Sequence, residues 1–262
     1  MILAGDIGGT RTRMGLFERS GGRLEPLWKH AVLNAGHASL EAVLAGCERL
    51  RGARIEAACF GAAGMVEDGV CRMTNLDWTL DAAALSAGAG IGRVAVVNDL
   101  AAIALGIAHL PEDAFAVLQP GTRPWGAASM AVVAPGTGLG EAGLLWDGAR
   151  HLVVPSEAGH TDFAPGDALQ AELRAHLAGD GVHVSYERVL SGPGLVAIAA
   201  FLVASGRHEW PPGLAAARPE ERPALLAARG LAGDCALGTA TLDLFADVLA
   251  QEGGNADRKS VV

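Results

Sequence analysis

Lysine is almost absent from this sequence. Lys29 and Lys259 are its only lysines in 262 residues, and 20 basic side chains stand against 29 acidic ones, giving a formal net charge of −9 at pH 7. Attachment to nucleic-acid phosphates or to an anionic membrane surface depends on clustered lysine and arginine side chains. The acidic balance therefore argues against a nucleic-acid partner and against a polybasic membrane anchor.

A secretion signal and a membrane span are also lacking. The first four residues lead at once to Gly5-Asp6, without the cationic segment and the long apolar run of a signal peptide. The most apolar stretch, Val94–Leu110, is interrupted by a polar Asn-Asp pair and is too short to cross a bilayer. We therefore expect a cytoplasmic protein in which this stretch forms a buried strand followed by a buried helix.

Paired cysteines are missing as well. No cysteine belongs to a CxxC motif, and the wide spacing fits neither a zinc ribbon nor a disulfide framework. We expect reduced, mostly buried thiols at Cys47, Cys59, Cys71 and Cys235.

A Walker phosphate-binding loop is absent too, since GxxxxGK[ST] occurs nowhere. Glycine itself is abundant, with 36 residues, so the backbone must often turn tightly or approach something closely. The segment Asp6-Ile-Gly8-Gly9-Thr10 places a carboxylate before a glycine turn with free backbone N–H groups and a hydroxyl. Such a turn suits a phosphate group, and Asp6 suits Mg²⁺ or its bound waters. An ordinary hairpin turn fits the same residues.

A second glycine turn, Gly136-Thr137-Gly138, follows an apolar segment of small residues. Gly138, Gly140 and Gly143 satisfy GxGxxG, but a dinucleotide-binding unit requires a helix at this point. The residues after the turn have the pattern of a strand instead. We therefore expect a second phosphate-binding hairpin.

Asn98 and Asp99 stand between a predicted strand and a predicted helix. At the end of a strand in an α/β sheet, a carboxylate can accept the proton of an attacking hydroxyl group. Either residue can instead simply cap the helix.

Two further segments carry carboxylates. Glu157 and His160 lie on a glycine-containing loop and could hold sugar hydroxyls through charge-assisted hydrogen bonds. Metal ligation by this ExxH pattern would need a helix, which Pro155 and Gly159 disfavour. Glu187 adds a carboxylate shortly before a helix, where a capping turn is the plain alternative.

Strand-like and helix-like segments alternate along the chain, which predicts an α/β protein with helices packed on a mixed sheet. The proline-rich segment Pro111–Pro124 is the candidate crossing between two domains. We expect an N-terminal domain over 1–110 and a second domain over 111–250. A surface stretch is predicted over Pro211–Pro223, and one long helix over Leu231–Ala250.

Several motifs, in their order and spacing, resemble those of bacterial glucokinases. They are Asp6–Thr10 followed by Arg13, Thr74–Trp78, Val97–Asp99, Gly136–Gly140, Glu157–Asp162 and Glu187–Leu195. The related sugar-kinase and repressor branch with a cysteine-rich zinc motif is not matched. The resemblance implies the actin-like ATPase (ribonuclease H-like) fold, in which two α/β lobes surround a cleft.

The resemblance also implies an activity, the ATP-dependent phosphorylation of glucose to glucose 6-phosphate, which is the first step of glycolysis. ATP and Mg²⁺ are the implied cofactors. Matched by position, Asp99 is the general base, and glucose is bound by Asn98, Asp99, Glu157, His160 and Glu187. The residues that face the nucleotide phosphates are Asp6, Gly8, Gly9, Thr10, Gly136, Thr137 and Gly138, with Asp6 holding Mg²⁺ through water.

After Ala250 the resemblance ends. Family members continue with a strand, a glycine-rich turn of the type GGVYxxGGI that packs on adenine and ribose, and helices that complete both lobes. Residues 251–262 read instead as an atypical polar tail. We therefore expect a truncated chain, whose exposed apolar helices favour a homodimer. Two alternatives stay open: a non-catalytic hexose-binding protein or regulator, and a kinase for another hexose.

Overall fold

A computed structural model of the chain describes residues 1–21, 23–107, 109–119, 127–179 and 181–259. The chain divides into two compact units, an N-terminal unit over Met1–Ala116 and a C-terminal unit over Val117–Val262. Within the described ranges, no helix combines the length and the apolar character that a membrane crossing needs.

The N-terminal unit is built on a mixed sheet with helices. Its strands are β1 (Ile2–Ile7), β2 (Arg11–Ser20), β3 (Arg23–Leu33), β4 (Ala57–Ala62), β5 (Val66–Glu67), β6 (Val70–Arg72), β7 (Thr79–Asp81) and β8 (Arg93–Asn98). Its helices are α1 (Leu40–Gly46), α2 (Ala82–Ala89) and α3 (Asp99–Ile107).

The main sheet of this unit has the strand order β3-β2-β1-β4-β8, and β5, β6 and β7 form a separate small sheet. Antiparallel pairing joins β1, β2 and β3, whereas β4 and β8 run parallel to β1. Leu3 and Ile7 point from β1 into the core with Phe60 of β4, and all three are fully buried. A Cβ added at Gly5 would lie 2.6 Å from the Phe60 ring, so a glycine is needed there.

The C-terminal unit combines a small antiparallel sheet with several helices. Its strands are β9 (Met130–Pro135), β10 (Leu139–Trp146) and β11 (His151–Ser156), and β10 lies between the other two. Its helices are α4 (Ala168–Ala178), α5 (Gly192–Ala204), α6 (Pro212–Ala215), α7 (Arg222–Ala232) and α8 (Ala236–Lys259). Its core is made by apolar side chains that include Phe163, Leu173, Leu190, Ile198 and Leu214.

The end of the chain differs from the sequence-based expectation. The pattern predicts one helix over Leu231–Ala250, but α7 and α8 are separate helices on either side of Gly233, whose φ of 72° ends α7 in a left-handed conformation. Pro223 lies in the first turn of α7, where proline is tolerated because the N–H it lacks has no partner in the helix. Helix α8 continues past Ala250 as far as Lys259, through the segment expected to be a polar tail.

The thiols also differ in part from the expectation. All four cysteines are free, as predicted, and Cys71 and Cys235 are buried. Cys47 is half-buried and Cys59 is exposed, so the expected burial is confirmed in full only for Cys71 and Cys235.

Helices α7 and α8 contact each other through two glycines. A Cβ at Gly230 would lie 2.6 Å from Gly238 O, and a Cβ at Gly238 would lie 2.9 Å from Gly230 N. The atoms that an added Cβ would meet are backbone atoms, which cannot rotate away as a side chain can. The two helices can therefore lie this close only because both residues are glycine.

We expect Gly238→Ala to lower the free energy of unfolding by about 1–3 kcal/mol, because the new methyl group forces the two helices apart. Gly254→Ala is the matched control on the same helix: it is exposed, and its Cβ would meet nothing within 4 Å. That change should raise stability by about 0.5–1 kcal/mol through helix propensity. Urea unfolding followed by circular dichroism measures both, and a shift of the same sign for the two variants would contradict this packing.

Candidate functional site

The turn between β1 and β2 exposes hydrogen-bond donors. Gly8 N–H donates to Arg11 O at 3.0 Å and closes the turn. In the part of the chain that the structure describes, the N–H groups of Gly9 and Thr10 have no acceptor. Two adjacent free amides form a small concave donor surface of the kind that binds phosphate oxygens.

A buried asparagine holds this turn in place. Asn34 Nδ2 donates to Gly8 O at 2.7 Å, and Asn34 N–H donates to Thr10 O at 2.9 Å. Asn34 itself accepts a hydrogen bond of 2.8 Å from the Thr12 hydroxyl. Asn34 could not be predicted from the sequence, because a polar residue after a strand gives no sign that it reaches back to a turn 26 residues earlier.

Asp6 lies near the end of β1, just before the same turn, and is exposed. Its Oδ2 atom pairs with Arg13 Nη1 at 2.9 Å across the β1–β2 ladder. No cluster of three or more histidine, cysteine or acidic side chains able to hold a metal occurs among the described residues. A single exposed carboxylate fits Mg²⁺, which usually takes one or two carboxylates and completes its shell with waters and substrate phosphates.

Asn98 and Asp99 lie at the junction of β8 and α3, and Asn98 makes the larger number of hydrogen bonds. Asn98 Oδ1 accepts the N–H groups of Leu100 and Ala101 at 3.0 and 3.2 Å, and its Nδ2 donates to Gly64 O at 3.1 Å. Asn98 is therefore the helix cap, and one N–H of its amide stays available to a ligand.

The Asp99 carboxylate is half-buried and keeps one oxygen free. Its Oδ1 accepts Leu100 N–H at 2.9 Å, whereas Oδ2 has no hydrogen-bond partner within the described ranges. Gly61 on β4 makes room for this end of α3, since an added Cβ would lie 3.2 Å from Ala102 Cβ and 3.5 Å from Asp99 Cα. The position of the carboxylate thus depends on a glycine of β4, the strand that pairs with β8 in the sheet.

The turn between β9 and β10 repeats the features of the first one. Gly136 N–H donates to Gly138 O at 2.7 Å, and Gly192 N–H, at the start of α5, donates to Gly136 O at 2.8 Å. The N–H groups of Thr137 and Gly138 have no acceptor among the described residues. The strand after this turn excludes the dinucleotide-binding alternative, as predicted, because no helix begins there.

Glu157, His160 and Glu187 form one cluster in the C-terminal unit. His160 lies between the two carboxylates, with Nε2 3.8 Å from Glu157 Oε2 and Nδ1 3.8 Å from Glu187 Oε1. The loops that carry them are paired by backbone hydrogen bonds from Phe163 N–H to Val184 O and from Tyr186 N–H to Thr161 O. We refer to Glu157, His160 and Glu187 below as the acidic cluster.

The acidic cluster is joined directly to the second glycine turn. Glu187 Oε2 accepts the N–H of Leu139, the residue after the turn, at 3.0 Å. A Cβ added at Gly138 would collide with the same oxygen, and a Cβ added at Gly159 would collide with Leu139 O. Both glycines are therefore required for the cluster to approach the turn.

Each unit thus presents free amides on a glycine turn together with carboxylate groups. In the N-terminal unit the amides of Gly9 and Thr10 accompany Asp6 and Asp99. In the C-terminal unit the amides of Thr137 and Gly138 accompany the acidic cluster. Amide donors bind anionic phosphate oxygens, and carboxylates bind hydroxyl groups or accept their protons.

A family model described as Glucokinase matches residues 3–260 of this chain. Glucokinase of Nostoc punctiforme is 36% identical over 206 residues, which cover 77% of this chain and 60% of that protein. Glucokinase of Trichormus variabilis is 34% identical over 274 residues, which cover 97% of this chain and 79% of that protein. The chain therefore spans between 60% and 79% of the length of these relatives.

A solved structure supports the same grouping. The glucokinase from an Antarctic psychrotroph superposes with a TM-score of 0.83 at 27% identity and covers 99% of this chain and 79% of that chain. This likeness confirms the predicted α/β, actin-like ATPase fold. The family model matches as far as residue 260, so the expectation that the resemblance ends after Ala250 was wrong. Helix α8 likewise continues past Ala250, as far as Lys259.

The bond between Leu139 and Glu187 can be tested without any ligand. We expect Gly138→Ala to push the Glu187 carboxylate away from Leu139. Hydrogen exchange of the Leu139 amide should then become about 5–10-fold faster, because the amide loses one hydrogen bond. Gly143→Ala, on the same strand, is the control, since its Cβ would make an ordinary 3.5 Å contact with Val154. Exchange followed by nuclear magnetic resonance measures both, and equal rates at Leu139 in the two variants would contradict the role of Gly138.

Proposed function

The chain belongs to the glucokinase family, and from that premise we propose that it transfers the γ-phosphoryl group of ATP to the 6-hydroxyl group of glucose. The observation that carries the proposal is the direct hydrogen bond between the acidic cluster and a glycine turn with free amides. This bond brings carboxylates that can bind hydroxyl groups next to amides that can bind phosphate, and a transfer between a sugar and a phosphate requires such proximity.

The acidic cluster supplies the sugar contacts in this proposal. Glu157, His160 and Glu187 offer carboxylate oxygens and ring nitrogens to hydroxyl groups, and charge-assisted hydrogen bonds of this kind are stronger than neutral ones. Asn98 contributes at most the single N–H that its capping role leaves free. The Leu139 bond fixes one oxygen of Glu187, so its other oxygen, which faces His160, is the one left for the sugar.

Asp99 is the proposed general base. Its free Oδ2 atom can accept the proton of the 6-hydroxyl group as the oxygen attacks phosphorus. Its Oδ1 atom is held by Leu100 N–H, so the carboxylate stays oriented while the other oxygen acts.

The two glycine turns supply the phosphate contacts. The amides of Gly9 and Thr10 and those of Thr137 and Gly138 donate to phosphate oxygens, and the developing charge is stabilised by fixed dipoles. Asp6 would hold Mg²⁺ through a bound water, with Arg13 as its present partner. When bound, Mg²⁺ neutralises charge on the phosphate oxygens.

The product would enter glycolysis, and we place the protein in the cytoplasm on that ground. The homodimer expected from the sequence stays a prediction.

A coupled assay tests the activity. We expect ADP release that depends on glucose, together with heat of glucose binding in calorimetry. Glucose binding without turnover would support the non-catalytic hexose-binding protein instead. Faster turnover with another hexose in a substrate panel would support a kinase of different specificity, and neither binding nor turnover with any hexose would overturn the proposal.

Replacing the proposed base gives a second test. We expect Asp99→Asn to lower kcat by about 10²–10⁴-fold, because the amide cannot accept the proton, while glucose affinity changes little. Asp243→Asn removes an exposed carboxylate from α8 and should leave kcat unchanged. Steady-state kinetics with calorimetry measure both, and near-normal turnover of Asp99→Asn would exclude this residue as the base.

A further inference from the structure

The last turns of α8 pack behind the loops that carry the acidic cluster. Gln251 Nε2 donates to Ala164 O at 2.6 Å, and a Cβ added at Gly166 would collide with Gln251 Oε1. One residue further along, the Glu252 side chain is buried, with 5% of its surface exposed. This end of the helix therefore contacts the segment that follows Glu157 and His160 in the chain.

Glu252 shares its buried position with two polar partners. Asn255 Nδ2 lies 3.3 Å from Glu252 Oε2 and 3.4 Å from the Tyr186 hydroxyl oxygen. Burial raises the pKa of the Tyr186 hydroxyl above its usual value, and the charge of Glu252 and a hydrogen bond to that carboxylate raise the pKa further. A Tyr186 hydroxyl that keeps its proton is the donor that a buried carboxylate requires.

Tyr186 connects this buried group to the acidic cluster. It is the residue before Glu187 and begins the short 3₁₀ turn Tyr186–Arg188. Its N–H donates to Thr161 O, and its ring packs edge-on against Phe163 with the ring centres 5.5 Å apart. Tyr186 thus contacts the segment that follows Glu157 and His160 through its backbone and its ring, while its hydroxyl accepts a hydrogen bond from Asn255 of α8.

The successive side chains of Tyr186 and Glu187 point into different surroundings. Tyr186 is buried and faces α8, whereas the Glu187 side chain, with 34% of its surface exposed, reaches Leu139 and His160. A rotation of the backbone that freed the Tyr186 hydroxyl would also move the Glu187 carboxylate. Small displacements of this kind matter because hydroxyl recognition depends on hydrogen-bond geometry.

We propose that Glu252, acting through Tyr186, is a positioning residue that sets the affinity of the acidic cluster for a hexose. This inference rests on the proposed function, since it takes the cluster as the sugar site. Glu252 does not touch the sugar in this scheme. Asn255, which is within hydrogen-bond distance of both Glu252 and the Tyr186 hydroxyl, links the two side chains, and the position of Tyr186 fixes the backbone from which Glu187 projects.

The test compares the chain with Glu252→Ala, Glu252→Gln and Tyr186→Phe. We expect Glu252→Ala to raise the glucose KM and the calorimetric Kd by about tenfold, because one buried hydrogen-bonded contact is lost, with kcat within about twofold. Glu252→Gln keeps an acceptor for the Tyr186 hydroxyl and should restore most of the affinity. Asp247→Asn, an exposed carboxylate one turn earlier on α8, is the control and should match the unmodified chain.

A double-mutant cycle separates positioning from general stability. If Glu252 acts through Tyr186, the KM effect of Tyr186→Phe with Glu252→Ala together will be clearly smaller than the sum of the two single effects. Measurements are made well below the Tm of every variant. A lower Tm with unchanged KM and Kd would show a merely structural role and overturn the inference, as would additive effects on KM.

The unmodified chain distinguishes failure of this inference from failure of the proposed function. If it binds glucose but the variants bind equally well, Glu252 has no positioning role and the proposed function stands. If the unmodified chain binds no hexose, the proposed function fails and the inference falls with it.

Discussion

The hydrogen bond from Leu139 N–H to the Glu187 carboxylate is the interaction on which the C-terminal unit's site depends. It joins the residue after a glycine turn to the acidic cluster, so the two cannot move separately. The contact requires Gly138 and Gly159, because a Cβ at either position would collide with the opposing segment. It also consumes one Glu187 oxygen, which determines how that residue can meet a sugar. Glycine here is a requirement of close approach between two functional segments, and not of turn conformation.

The same coupling extends inward to α8. A buried carboxylate is costly unless donors satisfy it, and Glu252 has the Tyr186 hydroxyl and Asn255 at hand. Hydrogen bonds to the Glu252 carboxylate depend on direction as well as distance. They therefore give the arrangement a defined geometry that an apolar contact would lack. The outer face of the loop pair thus binds, in the proposed scheme, while its inner face is fixed by hydrogen bonds. Rigid support from behind is what a site built on loops needs in order to discriminate hydroxyl positions.

Local patterns in the sequence predicted much of this structure. The two glycine hairpins, the strand that excludes a dinucleotide-binding unit at Gly138, and the junction at Asn98-Asp99 all follow from short-range chemistry of turns and caps. Contacts between distant segments were not predictable: Asn34 holding the first turn and Glu252 facing Tyr186 depend on how the elements pack. The errors around α7 have local causes: Gly233, which ends α7 in a left-handed conformation, was not recognised as a helix end, and Pro223 was assigned to a surface stretch although it lies in a first helical turn. The fold, the two glycine turns and the strand-helix junction could thus be predicted from the sequence, whereas the long-range contacts that hold them in place could not.

The scarcity of lysine has a consequence for the proposed chemistry. Around the two turns the described candidate side chains are mostly acidic, and Arg13 is already paired with Asp6. In the proposed scheme, a phosphate group brought to either turn meets backbone amides, whose partial charges attract anions. The remaining charge would be neutralised by a divalent cation that arrives with the nucleotide, and Asp6 is the exposed carboxylate proposed to orient it. In the proposed scheme, acidic surroundings of this kind favour the metal-bound nucleotide over the free anion, and they leave the carboxylates of the acidic cluster available for the sugar.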